Sequence, residues 1–429
     1  MNESRRRFLQ TASLGVATAA CAAIPPQASA RQVDHSKPSG VLFEGYLFPA
    51  RPKGLYETTL AAQSDGEYWL LWGDHERHLC RKTSPDGGRT WGEAEPLRDQ
   101  DGAFIPLARG TAHLSLLELK SGGLGIVYGG PYVRPGRDGT VLFRTSRDGG
   151  RSWSNPVAVD PLFSVTQKGT ARVLQSGRIL APAFSWVSAQ PGPSSEEEVH
   201  HLSYGWIFYS DDEGQTWKRS LSELYVAVDR GRLGSYSIEE PCLEVLRDGS
   251  LLLFGRTELG CFYQSKSTDD GVSWSEPKPV PLAAAYTPPY LIRIPATGDL
   301  LLIWDQASSE EIVAGLARHR LSTAISSDDG ATWRHLRNLE SLDDRTEIRP
   351  PQGPPTVYRM THFDFRQPVD LTRYPHAPGC SRVCYPDAAF RGNEVAIAYD
   401  YGYGGPGELK DGSTTKIKVV SVDWLYERV

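Results

Sequence analysis

SPDGGRTW, residues Ser84 to Trp91, is the first of five closely related octapeptides that decide the fold of this 429-residue chain. The other copies run from Ser146 to Trp153, Ser210 to Trp217, Ser267 to Trp274 and Ser326 to Trp333. All five share the pattern Ser-x-Asp-x-Gly-x-(Ser/Thr)-Trp. Their tryptophans recur at intervals of 62, 64, 57 and 59 residues, which indicates a repeat architecture.

Each octapeptide combines a tight turn with a packing anchor. The Asp side chain can bond its own backbone and the Gly can take a positive φ, which a tight hairpin turn requires. The Trp buries a large ring and keeps one N–H to be satisfied. Apolar or alternating runs between the copies predict strands, as in Glu67–Gly73 and Ser250–Phe254. One turn and one anchor in each repeat are what a four-stranded propeller blade needs.

The octapeptides resemble the Asp boxes of the sialidase (neuraminidase) superfamily of β-propellers, and the resemblance covers roughly residues 40 to 429. In that family the box lies between the outer strands of a blade, away from the catalytic face, which implies a structural role here. We expect an all-β, six-bladed β-propeller, with seven blades as the alternative. A final repeat without a box, about Pro355–Val429, and an amino-terminal strand near Gly40–Phe48 would close the ring.

The first 30 residues predict an export signal, which leaves 31–429 for the propeller. SRRRFLQ, from Ser4 to Gln10, resembles the twin-arginine pattern S-R-R-x-F-L-K, and Ala28-Ser29-Ala30 is an A-x-A cleavage site. The apolar stretch between them is too short to span a bilayer. These features predict a periplasmic or secreted protein that is exported already folded.

Charge and cysteine usage exclude several classes of function. The net charge of −6 without basic runs argues against a nucleic-acid partner. Five cysteines would remain after cleavage, an odd and sparse set that does not predict a disulfide framework. Cys380-x3-Cys384 has no further His or Cys at zinc-site spacing, so we expect no metal and no cofactor. The sequence leaves the oligomeric state open.

The resemblance implies a site at the mouth of the propeller, with an arginine triad, a Tyr nucleophile with a Glu partner, and an Asp acid/base. An anionic sugar repels a carboxylate nucleophile, so a neutral phenol attacks instead. The Glu must accept the phenol proton, because free Tyr titrates near a pH of about 10. Arginine suits the substrate carboxylate because its planar fork binds it bidentately.

The best local matches to this site lie in the fourth and last repeats. Glu240 and Arg256, in SIEEPCLEVLRDGSLLLFGRT, would open and close a hairpin and so return to the same rim of a blade. Tyr385, in CYPDAAFRGNEVAIAYDYG, matches the position of the nucleophilic Tyr. Arg318 and Arg320 are candidates for the third triad arginine. At a spacing of two they would share one strand face, so both or neither should face the mouth.

The first triad arginine of the family, in an Arg-Ile-Pro of the first blade, has no counterpart. That stretch offers Tyr56 and Glu57, and Arg293-Ile294-Pro295 comes too late in the chain. Residues near the starts of the second and third blades could bind the substrate in place of this missing arginine. The candidates are Arg109, His113 and Arg172.

The general acid is predicted at Asp74, in WGDHERH, because this is the only Asp near the expected loop before the first box. His75 and His113 are the alternatives. A general acid needs a raised pKa and a position over the leaving oxygen.

The leading hypothesis is therefore an exported, exo-acting glycoside hydrolase that releases a terminal acidic sugar from a glycan with retention. The missing arginine leaves the identity of the sugar open. One alternative is another propeller carbohydrate-active enzyme, either a neutral-sugar hydrolase or a polysaccharide lyase. In a lyase, His113 or His75 with a Tyr would transfer protons while an Arg neutralises a uronate. The other is a non-catalytic carbohydrate-binding propeller, which eleven tryptophans invite.

Overall fold

The structure is a computed structural model, and it describes most of the chain between residues 40 and 427. The described ranges are 40–48, 58–107, 113–130, 140–160, 164–187, 202–229, 231–232, 234–353, 355–358, 374–375, 382–402 and 413–427. The predicted export signal, 1–30, lies outside them. No helix in these ranges is long and apolar enough to cross a membrane.

Six antiparallel sheets of four or five strands in the described chain are the blades of a propeller, and a seventh, two-stranded sheet is a short hairpin. The strand β1 (Val41–Tyr46) precedes blade 1, which contains β2 (Thr59–Ala62), β3 (Tyr68–Gly73), β4 (Leu79–Ser84) and β5 (Glu95–Pro96). Blade 2 contains β6 (Leu114–Glu118), β7 (Leu124–Gly130), β8 (Thr140–Ser146) and β9 (Val157–Asp160). Blade 3 contains β10 (Val165–Thr166), β11 (Arg172–Val173), β12 (Ile179–Val187), β13 (Leu202–Ser210) and β14 (Lys218–Arg219).

A short hairpin of β15 (Val226–Ala227) and β16 (Ser235–Tyr236) leads into blade 4. This blade contains β17 (Glu239–Val245), β18 (Leu251–Arg256), β19 (Cys261–Ser267) and β20 (Lys278–Ala283). Blade 5 contains β21 (Tyr290–Arg293), β22 (Leu300–Asp305), helix α1 (Ser309–Val313), β23 (Leu321–Ser326) and β24 (Arg334–Glu340). Blade 6 contains β25 (Arg382–Arg391), β26 (Glu394–Gly402) and β27 (Ser413–Ser421), and helix α2 (Val422–Tyr426) follows.

The ring is closed by pairing between the two ends of the described chain. The sheet order of blade 6 is β25-β26-β27-β1, so the amino-terminal strand forms the outer edge of the last blade. Val41 pairs with Val420 and Tyr46 with Lys416 in this ladder. The six-bladed all-β propeller predicted from the repeats is confirmed, and so is its closure by the strand near Gly40–Phe48.

The second strands of blades 1, 4 and 5 are mostly apolar because both of their faces are covered by neighbouring blades. β3 (YWLLWG), β18 (LLLFGR) and β22 (LLLIWD) are buried at every position. A strand buried on both faces reads as a continuous apolar run rather than as an alternation. The core therefore consists of clusters between adjacent blades, and one of them joins Trp69 of blade 1 to Ile126 and Trp153 of blade 2.

The Asp boxes lie on the face of the propeller opposite to the mouth. Each box begins at the last residue of the third strand of a blade, as Ser146 does in β8. In the second box Asp148 accepts hydrogen bonds from the Ser146 and Ser152 hydroxyls at 2.7 and 2.6 Å. The hydrogen bonds from Ser152, together with those from Ser146 and Arg151, hold the pKa of Asp148 well below its usual range. Trp153 is buried, so the box ties a turn to the core between two blades.

Candidate active site

The mouth of the propeller is the rim where first and third strands begin and second strands end. Glu240 lies near the start of β17, Arg256 ends β18, Tyr385 lies near the start of β25, and Arg318 lies just before β23. The antiparallel order of the strands in each blade therefore brings these four predicted residues to one rim. The boxes, at the far ends of the third strands, are excluded from it.

Tyr385, Glu240 and Arg256 form a chain of direct contacts. The Tyr385 hydroxyl donates a hydrogen bond to Glu240 Oε1 at 3.0 Å. Arg256 Nη1 donates to the other carboxylate oxygen, Glu240 Oε2. Glu240 and Arg256 are both buried, so this charge-assisted pair is little screened by water. The structure thus joins the Tyr, Glu and second Arg candidates in one hydrogen-bonded unit.

Glu240 and Tyr385 occupy the same irregularity in two different blades. The ladder shifts register between Glu239 and Cys242 in β17, and between Cys384 and Asp387 in β25. Glu240 has a φ of 44° and Tyr385 a φ of 53°. Each precedes a proline, which makes this left-handed backbone a strained one, at a cost of about 1–3 kcal/mol per residue. Bulges of this kind re-aim a side chain, and both side chains are here aimed at each other.

The charges around Glu240 keep it ionised. Burial on its own would raise the pKa of this carboxyl, but the charges of Arg256, His113 and Arg318 outweigh that effect and lower the pKa below its usual value. An ionised carboxylate that accepts the phenol hydrogen bond can also accept the phenol proton.

Arg318 approaches Tyr385 from blade 5, whereas Arg320 does not. The Arg318 guanidinium carbon lies 5.6 Å from the centre of the Tyr385 ring, and its Nη1 donates to Cys384 Sγ at 3.4 Å. Arg320 is held by buried ion pairs with Glu311 at 2.8 Å and Asp343 at 2.9 Å. The expectation that both arginines would share one strand face is wrong, because residues 317–319 form a turn before β23 begins.

His113 faces Tyr385 from blade 2. The two ring centres are 6.0 Å apart in an edge-to-face arrangement, and His113 Nδ1 lies 3.0 Å from Gln167 Oε1. Arg109, its predicted neighbour at the site, lies outside the described residues, as do Tyr56 and Glu57.

Arg172 has a structural environment deeper in the channel, along the inner strands. Its Nε donates to Glu244 at 3.2 Å, its Nη1 to the Gly169 carbonyl at 2.7 Å, and its Nη2 to the Leu291 carbonyl at 2.9 Å. These partners belong to blades 3, 4 and 5, so Arg172 links three inner strands. Its contacts do not include Tyr385 or Glu240 in the part of the chain that the structure describes.

Asp74 lies at the correct rim, but its carboxylate is engaged in its own turn. Its Oδ1 accepts the backbone N–H groups of Glu76 at 2.9 Å and His78 at 2.8 Å, and its Oδ2 lies 3.5 Å from His78 Nδ1. His75 is exposed beside Glu76. The assignment of Asp74 as the general acid stays a prediction.

Arg293, in the Arg-Ile-Pro that comes too late in the chain to be the family motif, lies at the box face. Its Nη2 lies 3.2 Å from Asp329 of the fifth box, and its Nε donates to the Val245 carbonyl at 3.2 Å. It is therefore not a substitute for the first triad arginine.

Two residues that the sequence analysis missed complete the surroundings of Arg256. The guanidinium carbon lies 3.5 Å from the centre of the Tyr286 ring, and the Tyr286 hydroxyl donates to Glu239 Oε2. Arg256 Nη2 lies 3.8 Å from the same Glu239 oxygen. The doubled Glu before Pro241 was a signal for Glu239, whereas Tyr286 follows three alanines in a segment without any motif. Among the described residues, no group of His, Cys, Asp and Glu side chains is arranged to hold a metal ion.

Solved structures with the same fold include sialidases. The chain superposes on a protein of unknown function from Dyadobacter fermentans with a TM-score of 0.58 and 18% identity, covering 89% of this chain and 98% of that one. On the NanB sialidase of Streptococcus pneumoniae it superposes with a TM-score of 0.55 and 13% identity, covering 87% of this chain and 69% of that one. On the Trypanosoma rangeli sialidase with the inhibitor DANA the TM-score is 0.53 and the identity 14%. The superposition covers 85% of this chain and 55% of that one, so the chain spans about half of that enzyme.

A second structure of the Trypanosoma rangeli sialidase, in complex with 2,3-difluorosialic acid, is a covalent intermediate. This chain superposes on it with a TM-score of 0.51 and 14% identity, covering 87% of this chain and 55% of that one. The likeness to these structures shows a sialidase-like propeller fold. A comparison with curated proteins finds no match. Residues 132–397, more than half of the chain, match the model of the BNR repeat-like domain, and the protein therefore belongs to the BNR repeat-like domain family.

Proposed function

We propose that the protein is an exo-acting, retaining glycoside hydrolase that releases a terminal acidic sugar from a glycan. The observation that carries this proposal is the hydrogen bond from the Tyr385 hydroxyl to Glu240, which is itself paired with Arg256. A phenol held against an ionised, buried carboxylate is the arrangement that an activated Tyr nucleophile needs.

In the first step the Tyr385 oxygen forms a bond to the anomeric carbon while the glycosidic C–O bond breaks. The phenol proton moves to Glu240, and the departing oxygen takes a proton from the general acid. In the second step the deprotonated general acid takes a proton from the water that attacks the anomeric carbon, the sugar–tyrosine bond breaks, and the phenol recovers its proton from Glu240. Two inversions give net retention.

Arg256 and Arg318 would bind the carboxylate of the sugar, because Arg256 pairs with Glu240, the partner of Tyr385, and the Arg318 guanidinium lies 5.6 Å from the Tyr385 ring. Arg109 is proposed as the third arginine. Asp74 is proposed as the acid that protonates the leaving group, with His113 as the alternative because of its contact with Tyr385. The twin-arginine signal would deliver the folded enzyme to glycans outside the cytoplasm.

The test is turnover of a fluorogenic sialoside by the wild type and by Tyr385→Phe. We expect wild-type hydrolysis and a loss of at least about 10³-fold in the variant, because removing a nucleophile leaves only binding and electrostatic catalysis. Tyr209→Phe is the matched control, because Tyr209 also lies near an arginine, Arg178 at 4.6 Å, but at the end of β13 on the box face. Wild-type turnover by Tyr385→Phe would exclude Tyr385 as the nucleophile.

A polysaccharide lyase is the second candidate, and the contact between His113 and Tyr385 favours it. In that reaction one of the two side chains would remove the proton next to a uronate carboxylate that Arg256 neutralises, and the glycosidic oxygen would leave with a proton from the other side chain. The product contains a carbon–carbon double bond and absorbs in the ultraviolet. Absorbance from acidic polysaccharides without release of sugar from sialosides would select the lyase.

A further inference from the structure

Arg256 is enclosed on three sides by side chains that fix the orientation of its guanidinium group. Glu240 binds Nη1, Glu239 Oε2 lies 3.8 Å from Nη2, and the Tyr286 ring covers one face at 3.5 Å from the guanidinium carbon. Only 7% of Arg256 is exposed. A sugar carboxylate would therefore have to bind the N–H groups that Glu240 and Glu239 do not occupy.

Two carboxylates beside one guanidinium create an electrostatic conflict for an anionic ligand. If Glu239 and Glu240 are both ionised, their two negative charges cancel those of Arg256 and Arg318, and the four side chains carry no net charge to attract a carboxylate. If Glu239 holds a proton, the same four side chains carry a net charge of +1. Binding of an anion at this site is therefore favoured when Glu239 is neutral.

The structure offers a reason for Glu239 to stay in place. The Tyr286 hydroxyl donates to Glu239 Oε2 while its ring lies on Arg256, so one side chain contacts both members of the pair. Tyr286 comes from the segment before β21 of blade 5, whereas Glu239 and Arg256 belong to blade 4. The packing of two blades thus sets the distance between Arg256 and its second carboxylate.

We propose that Tyr286 and Glu239 are positioning residues for Arg256: the Tyr286 ring fixes the guanidinium plane, and its hydroxyl holds Glu239, whose proton leaves Arg256 able to bind a sugar carboxylate. The inference rests on the proposed function, in which Arg256 binds that carboxylate. It adds that binding of the acidic sugar weakens as Glu239 loses its proton.

Among the described residues, the charged and titratable groups that act on Glu239 come from several elements. Arg256 comes from β18, Tyr286 from the segment before β21, Glu240 from its own strand and Glu258 from the loop after β18. Burial raises the pKa of Glu239 to about 7, and the charges of Glu240 and Glu258 add to the increase, against the opposing effects of Arg256 and Tyr286. Its proton would then be lost near neutral pH.

The experiment measures the Kd of DANA for the full chain between pH 5.5 and 9, together with kcat and KM on a sialoside. For the wild type we expect Kd to rise above pH 7, by up to about tenfold per pH unit, as one proton is lost. Glu239→Gln should bind with a Kd that does not change over this range. Tyr286→Phe should move the rise to higher pH, because the hydroxyl no longer stabilises the Glu239 carboxylate.

Tyr286→Leu removes the ring as well and should raise KM by about tenfold with kcat changed by less than about threefold, because binding lost equally in ground and transition states appears in KM. Tyr286→Phe keeps the ring and should restore KM to within about threefold of the wild type. The matched controls Tyr209→Leu and Tyr209→Phe remove the same groups on the box face and should change neither value. A Kd for Glu239→Gln that rises with pH as in the wild type would overturn the proposal, and so would an unchanged KM for Tyr286→Leu.

If the wild type neither binds DANA nor cleaves the sialoside, the proposed function fails, and thermal unfolding still tests the inference. A carboxyl whose pKa is raised on folding stabilises the protein below its unfolded pKa and loses that contribution as pH rises through the folded pKa. The Tm of Glu239→Gln minus that of the wild type should therefore increase between pH 5 and 8. A constant difference in Tm would contradict the proton on Glu239.

Discussion

The Tyr385 hydroxyl lies 3.0 Å from Glu240 Oε1, although 145 residues separate the two in the chain. Each residue has a positive φ and precedes a proline at a bulge of the innermost strand of its blade. One backbone irregularity, used in blades 4 and 6, therefore places the proposed nucleophile and its base opposite each other.

Glu240→Gln should abolish most of the turnover and also destabilise the fold. The amide cannot accept the phenol proton, so we expect a loss of at least about 10²-fold in kcat. It also removes one partner of a buried ion pair, which costs about 3–5 kcal/mol, less the part that Glu239 recovers by ionising beside Arg256. Enzyme kinetics and urea denaturation measure the two effects.

Glu244→Gln is the matched control, because Glu244 lies on the same strand and pairs with Arg172 at 3.2 Å, deeper in the channel. It should lose stability in the same way while kcat changes little. Equal kcat values for the two variants would contradict the role of Glu240 as the base.

Lys168→Met should destabilise the protein, because it removes the buried ion pair between Lys168 and Asp387 at the centre of the propeller. Lys168 Nζ lies 3.1 Å from Asp387 Oδ2, and both side chains are fully buried. Lys168 also donates to the Thr58 carbonyl at 2.8 Å, and Asp387 accepts the Leu60 N–H at 3.1 Å, so the pair links blades 1, 3 and 6. Leaving Asp387 unpaired should cost about 3–5 kcal/mol in urea denaturation at pH 8.

Adding Asp387→Asn to Lys168→Met should recover part of this stability, because the amide carries no charge and can still accept the Leu60 N–H. Burial raises the pKa of Asp387 even with Lys168 present, so the penalty for Lys168→Met should also decrease as pH falls and the carboxyl takes up a proton. A double variant that is no more stable than the single one at pH 8 would show that the pair does not stabilise the axis.

Gly150→Ala in the second box should destabilise the fold without changing catalysis. A Cβ at Gly150 would lie 2.3 Å from the Trp69 ring of the neighbouring blade, and its φ of 78° is unfavourable for alanine. Gly149→Ala is the matched control, because its φ is 71° and no atom lies within 4 Å of the added carbon. Gly149→Ala should cost about 1 kcal/mol and Gly150→Ala clearly more.

Both box variants should keep the wild-type kcat, since the boxes lie on the face opposite to the mouth. Thermal unfolding and sialoside kinetics check the two expectations. If kcat in either variant falls by more than the decrease in the fraction of folded protein explains, the box takes part in catalysis and the expectation is wrong.

Asp305→Asn should make the protein more stable at alkaline pH relative to the wild type. Asp305 ends β22 and is fully buried; burial raises its pKa to about 8, although the charge of Arg318 opposes the shift. Because the folded state holds this proton more tightly than the unfolded chain, wild-type stability should fall by about 1.4 kcal/mol per pH unit between about pH 4 and pH 8 from this group.

The advantage of Asp305→Asn over the wild type should therefore grow across that window and level off above pH 8. Denaturation at several pH values measures it, with the exposed Asp101→Asn as the control. A stability difference between Asp305→Asn and wild type that is independent of pH would contradict the raised pKa.

The parts of the fold and of the site that the sequence could predict are those formed by residues close to each other in the chain. The box combines turn residues and a Trp within eight positions, so its spacing predicted the blades. Glu240 and Arg256 belong to one hairpin, so their return to one rim followed from strand direction alone. The prediction that Arg318 and Arg320 share one strand face was wrong, because residues 317–319 form a turn and not part of a strand.

The contacts that no local pattern predicts are those between blades. Tyr286 reaches Arg256 only because the segment before β21 packs against blade 4, and no motif marks that segment. The burial of Lys168 and Asp387 likewise depends on how blades 1, 3 and 6 meet at the axis. Such contacts are set by the closed ring and not by the residues next to them in the chain.

Mass spectrometry of the intact protein after incubation with 2,3-difluorosialic acid, the compound seen as a covalent intermediate in the Trypanosoma rangeli sialidase, tests the proposed nucleophile directly. We predict one covalent adduct, mapped by peptide analysis to Tyr385 and absent from Tyr385→Phe. An adduct on another residue, or sialoside turnover by the wild type without any adduct on Tyr385, would contradict the proposed mechanism.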